Sequence, residues 1–175
     1  LLAGCAVPSQ PTGAPSAPAP PDRPPPALVV RTQADADAAC AADVPRAPET
    51  LTITGPDIAD LSGLHCLEAV HRGLAVPDAP ALRDLHGLHG LVDVGGLSLA
   101  HLPALEDTAG LARLARVDGD VGIWDVPGLG ALALPALLWV GGDVVVDDAP
   151  ELEQIVDLRA LGGLQGGLHL RGSGV

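Results

Sequence analysis

Short segments in which apolar residues alternate with small or polar ones recur along the chain at a nearly constant interval. Their first residues are 23 or 24 positions apart and are Leu51, Leu74, Leu97, Val121, Val144 and Leu168. A unit of this length cannot bury its own apolar side, so it must stack on its neighbours to form a continuous core. The period therefore predicts a solenoid whose strands pair in parallel, one strand from each repeat.

Each repeat carries the same local signals in the same order after its strand. A proline-containing turn comes first, leucines follow at three-residue steps, as in Leu82, Leu85, Leu88 and Leu91, and a valine before a glycine-containing turn ends the unit. Three-residue steps favour a 3₁₀-like or irregular side over a long helix. The alternative is an α/β leucine-rich repeat, which would need about ten or more residues of helical periodicity in every unit.

Alternation along a strand points its second and fourth residues away from the core. Most of these residues are small, and they are Thr52, Ala75, Ser98, Gly122, Val145 and His169 at the second position and Thr54, Pro77, Ala100, Trp124, Asp147 and Arg171 at the fourth. A flat face with one large ring is typical of a docking surface, because tryptophan is enriched at binding hot spots. We predict Trp124 as a binding residue and Trp139, also expected to point outward, as a second. The alternative for both is that the ring folds over a neighbouring repeat.

Several segments of these repeats are similar to a known family. LTITG, DIADLSGLHCLEAV, GGLSL, PALEDTAGLARLARVDGDVGI and the upstream VVRTQADADAAC resemble the receptor L-domain, which occurs in the ligand-binding ectodomains of insulin and epidermal growth factor receptors and in many bacterial lipoproteins. The resemblance covers about residues 29–175. It implies a mainly β fold, a right-handed, leucine-rich parallel β-solenoid with a short N-terminal helical cap, and a role in extracellular binding. It supplies no catalytic residues.

This chain departs from the family where many such repeats place asparagine just after the strand. The corresponding residues are Asp78, His101, Asp125 and Asp148. Stacked carboxylates would repel one another and favour a proton, a positive charge on His101 or a cation such as calcium. The other interpretation, which we favour, is that these corner residues cap local backbone amides. We therefore predict no metal site and no cofactor.

The N-terminus predicts a membrane anchor. Leu2-Ala3-Gly4-Cys5 resembles the lipobox of bacterial lipoproteins, so residues 1–5 are interpreted as a signal-peptide remnant and lipobox, with Cys5 as the lipidation site. Residues 6–28 are rich in proline and alanine and predict a disordered, extended linker. The alternative for this segment is a ligand for proline-recognition domains. Residues 29–175 then form the folded domain.

Two cysteines remain after Cys5 is assigned to lipid. In an exported protein we expect Cys40 and Cys66 to form a disulfide that links the N-terminal segment to the first full repeat. Free buried thiols are the alternative. The neighbour His65 does not make Cys66 a nucleophile, because no third orienting group can be named.

Composition limits the possible functions. With 175 residues, 47% of them apolar, and no Phe, Tyr or Met, the chain can form one domain whose core is filled by Leu, Val and Ala. The formal net charge is −13 and the nine basic residues are dispersed, which excludes a nucleic-acid partner. No metalloprotease, nucleotide-binding or nucleophile-elbow motif is present in the sequence.

These observations predict a non-enzymatic, lipid-anchored protein of the bacterial cell envelope that binds a protein or glycan. We expect it at the outer membrane or cell surface rather than the inner membrane, held there through Cys5. The first alternative is a structural spacer lipoprotein without a specific ligand. A more distant alternative is a β-helix enzyme that acts on polysaccharides, which would need a groove of clustered acids and arginines.

Overall fold

The structure is a computed structural model that describes residues 27–41, 46–156 and 162–172. Within these ranges the fold is mainly β, with parallel strands in three sheets and only short helices. The helices are α1 (Gln33–Ala38) and the 3₁₀ helices Ala39–Ala41, Ser62–Leu64, His86–Leu88 and Ala109–Leu111. The strands are β1 Leu28–Val30, β2 Thr50–Ile53, β3 Ala69–Val70, β4 Gly73–Val76, β5 Asp93–Val94, β6 Leu97–Ala100, β7 Arg116–Val117, β8 Val121–Trp124, β9 Ala131–Ala133, β10 Trp139–Val140, β11 Val144–Asp147, β12 Gln154–Val156, β13 Gly163–Leu164 and β14 Leu168–Arg171.

The first and largest sheet takes one strand from each repeat. Its order is β1-β2-β4-β6-β8-β11-β14, and every neighbouring pair is parallel. The register keeps equivalent residues side by side, so that Leu51 pairs with Leu74 and Leu97 pairs with Val121. A parallel sheet with one strand from each repeat, as the period of the sequence predicts, is therefore confirmed.

Side chains of β2, β4, β6 and β11 alternate as expected, whereas Leu168, at a predicted inward position in β14, is exposed. In β6, Leu97 and Leu99 are buried, whereas Ser98 and Ala100 are partly exposed. The inward residues of successive strands join one continuous core of Leu, Val, Ile and Ala side chains, to which neither tryptophan belongs. Small aliphatic residues suit this core because each repeat offers the same narrow slot between its neighbours.

A second sheet is formed near the end of each repeat, where the sequence pattern predicted a valine before a glycine-containing turn but no strand. Its order is β13-β10-β7-β5-β3, and each strand has only two residues. The second residue of β3, β5, β7 and β10 is a buried valine, and these are Val70, Val94, Val117 and Val140. Strands this short carry no readable alternation, which is why the sequence pattern did not predict them.

In three successive repeats, a 3₁₀ helix connects the strand of the first sheet to the strand of the second sheet. These three helices stack on one another, and each is built on an Asp-x-x-Gly-Leu motif. In each motif the aspartate carboxylate accepts a hydrogen bond of 2.7–3.0 Å from the backbone N–H two residues later, and the aspartates are Asp60, Asp84 and Asp107. The glycine lets one helix approach the next closely. A Cβ on Gly87 would overlap the Leu61 carbonyl group of the preceding repeat.

Later repeats replace the 3₁₀ helix with a strand, so our expectation of a 3₁₀-like or irregular side is wrong there, although no long helix forms among the described residues. Asp107 bridges to Ala131, and β9 and β12 pair in parallel as a third sheet. The segment around Ala131 has neither the motif's aspartate nor its glycine, so the tight helical approach is not available to it. The buried Thr108 holds the 3₁₀ helix and the strand that follows it together. Its hydroxyl accepts a hydrogen bond from the Ala133 N–H at 2.8 Å and donates one to the Ala133 carbonyl oxygen at 3.2 Å.

Helix α1 lies at the N-terminal end of the stack and packs against the 3₁₀ helix Ser62–Leu64. Its start is a capping box, in which Thr32 accepts from the Asp35 N–H at 3.2 Å and Asp35 accepts from the Thr32 N–H at 3.0 Å. The Arg31 N–H also donates to this carboxylate at 3.0 Å. The Arg31 backbone bond, followed by the Thr32 bonds, lowers the pKa of Asp35 below its ordinary value.

Candidate binding face

The outward face of the first sheet is an open shelf of small side chains. Thr52, Ala75 and Ser98 are partly exposed and stand in register on neighbouring strands. They line a shallow hollow of about 600 Å³ that ends at Trp124. The outward positions predicted from alternation are therefore confirmed on these strands, and together they form a surface rather than a deep pocket.

Trp124 is the large ring on this shelf, and its side chain is folded down onto its own strand. It is 39% exposed, the last residue of β8, between Ala100 and Asp147 on the neighbouring strands. The far end of its six-membered ring occupies the space where Gly122 would carry a Cβ. Gly122 is therefore buried although it points outward, an exception that simple alternation does not predict.

The edge of the hollow where the strands begin is polar. Arg72 reaches it and pairs with Glu49 at 2.6 Å. Asp120 lines the same edge, and its carboxylate accepts a 2.8 Å hydrogen bond from the Asp143 N–H of the next repeat. The shelf thus joins an aromatic ring at one end to a guanidinium group and a carboxylate at the other.

Trp139, the second predicted binding residue, lies on the second sheet and is partly buried. Its six-membered ring occupies the space beside Gly163, its partner on β13 of the next repeat. This is the alternative arrangement considered for it, a ring folded over a neighbouring repeat. The two tryptophans lie on different sheets, and the structure does not bring them together in one site.

One corner of consecutive repeats carries the residues that the repeat pattern places just after each strand, Asp78, His101, Asp125 and Asp148. His101 Nδ1 lies 3.7 Å from an Asp78 oxygen, and Nε2 lies 4.0 Å from an Asp125 oxygen. All three side chains are more than half exposed, so these ion pairs are weak. No group of three residues able to hold a metal is found in the described ranges.

Backbone conformation explains the residue types at three of these four positions, His101, Asp125 and Asp148. His101, Asp125 and Asp148 have φ of 53°, 50° and 55°, and Gly172 follows at 59° in the next repeat. Left-handed backbone is tolerated best by glycine and, among other residues, by Asn, Asp and His. The recurrence of Asp, His and Gly four residues after the first residue of each repeat is the sequence signal for this corner, and neither the charge interpretation nor backbone capping predicts the left-handed backbone.

Cys40 and Cys66 form the predicted pair. The two sulfur atoms are 2.07 Å apart, and the link joins the 3₁₀ helix Ala39–Ala41 to the residues just after Ser62–Leu64. The N-terminal segment is thus attached to the first full repeat. Cys5 and residues 6–26 of the predicted linker lie outside the described residues.

No helix among the described residues has the length and apolar character needed to cross a membrane. Comparisons with protein-family models, curated proteins and solved structures found no match. The receptor L-domain resemblance therefore stays a prediction.

Proposed function

We propose that the chain is a lipid-anchored protein of the bacterial cell envelope that presents a leucine-rich β-solenoid of the receptor L type for non-enzymatic binding of a protein or glycan. The observation that carries the binding role is the open face of the first sheet, where small side chains lead to the exposed ring of Trp124. Tryptophan supplies a large contact area with little conformational entropy to lose, so it is effective in such a position.

The finer fold assignment, a right-handed solenoid, rests on the repeated path of the chain. Every repeat between Thr50 and Val140 contributes a strand to the first sheet, then a 3₁₀ helix or strand, then a two-residue strand to the second sheet. Parallel strands joined by a crossover in one sheet are almost always connected with right-handed chirality. Handedness and family are part of the proposal.

A glycan is the ligand class that this face favours. The ring of Trp124 offers an apolar surface to the C–H groups of a sugar, because the electron-rich face of an aromatic ring attracts weakly positive hydrogens. The hydroxyl groups of Thr52 and Ser98 and the guanidinium group of Arg72 can exchange hydrogen bonds with sugar hydroxyls. The surface is shallow, which suits an extended chain of sugars more than a small enclosed molecule.

An array of bacterial envelope oligosaccharides, probed with the purified chain, tests this proposal. We expect selective binding that Trp124→Ala weakens at least about tenfold, which corresponds to about 1.4 kcal/mol. Trp139→Ala is the matched control, because it removes the same side chain from the other sheet. We expect it to bind like the wild type.

Two outcomes would contradict the proposal. Equal loss of binding in both tryptophan variants would mean that the effect is general destabilisation rather than loss of a contact. An absence of binding to oligosaccharides and also to envelope proteins would favour the spacer role over a binding role.

A further inference from the structure

Two histidines away from the first sheet occupy the same corner of consecutive repeats. His65 ends the 3₁₀ helix Ser62–Leu64 and His89 ends His86–Leu88, with backbone angles φ −59°, ψ −16° and φ −63°, ψ −11°. A Cβ built on Gly90 would lie 3.1 Å from the His65 carbonyl oxygen, so the two corners are in direct contact. The two imidazoles therefore start from equivalent, neighbouring positions.

Each imidazole is oriented by the same hydrogen bond. His65 Nδ1 lies 2.8 Å from the Ser62 carbonyl oxygen, and His89 Nδ1 lies 2.6 Å from the His86 carbonyl oxygen. A carbonyl oxygen only accepts, so Nδ1 carries the proton and donates in both rings. Nε2 of the neutral ring then presents its lone pair. Histidines that bind metals are typically held in this way by the other ring nitrogen.

His65 and His89 line one surface hollow of about 680 Å³, together with Glu68 and Asp93. Glu68 pairs with Arg46 at 2.9 Å, and Asp93 is exposed at the start of β5. Arg113 also lines the hollow. The formal charges of the two carboxylates and the two arginines cancel, so the imidazoles are the groups of this hollow that can bind a metal ion.

We propose that His65 and His89 bind one divalent transition-metal ion through their Nε2 atoms, with water completing the coordination shell. Imidazole nitrogen selects ions such as Zn²⁺, Ni²⁺ and Cu²⁺ over Ca²⁺ and Mg²⁺. Two protein ligands are the full set available, since no cluster of three occurs in the part of the chain that the structure describes. The 24-residue separation matches no local metal motif, so only the stacking of repeats brings the pair together.

The test is a calorimetric titration of the full chain, without a polyhistidine tag, with Zn²⁺. We expect saturable binding of one ion per chain, and we expect His65→Gln and His89→Gln each to weaken it at least about tenfold, or about 1.4 kcal/mol. His86→Gln is the matched control, because His86 lies in the same 3₁₀ helix but pairs with Asp84 at 3.0 Å and does not line the hollow. It should bind Zn²⁺ like the wild type.

A second measurement does not depend on any variant folding. Substoichiometric Ni²⁺ should broaden the NMR signals of the His65 and His89 rings before those of His71, His101 and His169. The proposal is overturned if the wild type takes up no Zn²⁺, if the control variant weakens binding as much as the others, or if another histidine is broadened first. The two imidazoles would then act only as caps of the 3₁₀ helices.

Discussion

The six-membered ring of Trp124 occupies the space that a Cβ on Gly122 would fill, two residues earlier on the same strand. Residues two apart on a strand point to the same side, so the ring lies back along the face it belongs to. This relationship makes the shelf on the first sheet continuous with the aromatic ring. The ring can take this position only because residue 122 is a glycine and has no Cβ.

Gly122→Ala should displace the ring of Trp124 while leaving the fold intact. The added methyl group would overlap the ring carbons, and the ring is the part that can rotate away. We expect tryptophan emission to shift to longer wavelength, because the ring becomes more exposed to water, with a stability change within about 1 kcal/mol. Ser98→Ala, on the neighbouring strand, is the control and should leave the emission unchanged. An unshifted spectrum for Gly122→Ala would mean that the ring does not rest on this glycine.

Gly87→Ala should destabilise the domain by about 1–3 kcal/mol, the usual cost of overpacking a tight interior. The reason is that its Cβ would overlap the backbone of Leu61, which cannot rotate away as a side chain can. Gly130→Ala is the matched control, since a Cβ there would meet nothing within 4 Å. Its effect on the free energy of unfolding should stay within about 0.5 kcal/mol. Denaturant titrations of the two variants measure the difference, and equal effects would refute the close packing of the 3₁₀ helices.

Reduction of the Cys40–Cys66 link should lower the melting temperature of the domain. The sequence separation of 26 residues gives a loop-closure contribution of about 3 kcal/mol in the chain-entropy model. Cys40→Ala should lower the melting temperature by a similar amount and should then be insensitive to reductant. Two free thiols, found by mass spectrometry in protein isolated from the native cells, would rule out this stabilisation.

Cys5→Ser should release the protein from the membrane fraction into the soluble fraction. The expectation follows from the lipobox resemblance of Leu2-Ala3-Gly4-Cys5, because in the proposed lipoprotein several acyl chains on Cys5 would supply the anchoring. Cys40→Ser is the control for loss of a cysteine elsewhere and should stay with the membrane. A Cys5→Ser protein that still sediments with membranes would contradict the anchor.

Periodicity predicted the parts of the fold that depend on long-range repetition. The recurring strands from Leu51 to Leu168, their parallel pairing and most of the inward and outward residues follow from one interval and from alternation, with Gly122 and Leu168 as exceptions. The pairing of Cys40 with Cys66 followed from their number and from the expected export of the chain.

Features that depend on close backbone contact were not predicted. The glycine of Asp-x-x-Gly-Leu matters because of a carbonyl group in the preceding repeat, and a strand takes the place of the 3₁₀ helix near Ala131, where the motif is absent. The corner at Asp125 is set by a left-handed backbone rather than by charge. The ring of Trp124 folds down because Gly122 lacks a side chain, and only the packed structure relates the two.

The most direct test of the account is fluorescence from Trp124 alone. The chain has two tryptophans and no tyrosine, so Trp139→Phe leaves Trp124 as the single reporter on the first sheet. Titration of this variant with an oligosaccharide that the wild-type chain binds should give a saturable change in emission, with the same midpoint as calorimetric binding. Emission that stays constant while calorimetry still detects binding would place the ligand elsewhere and contradict the proposed binding face.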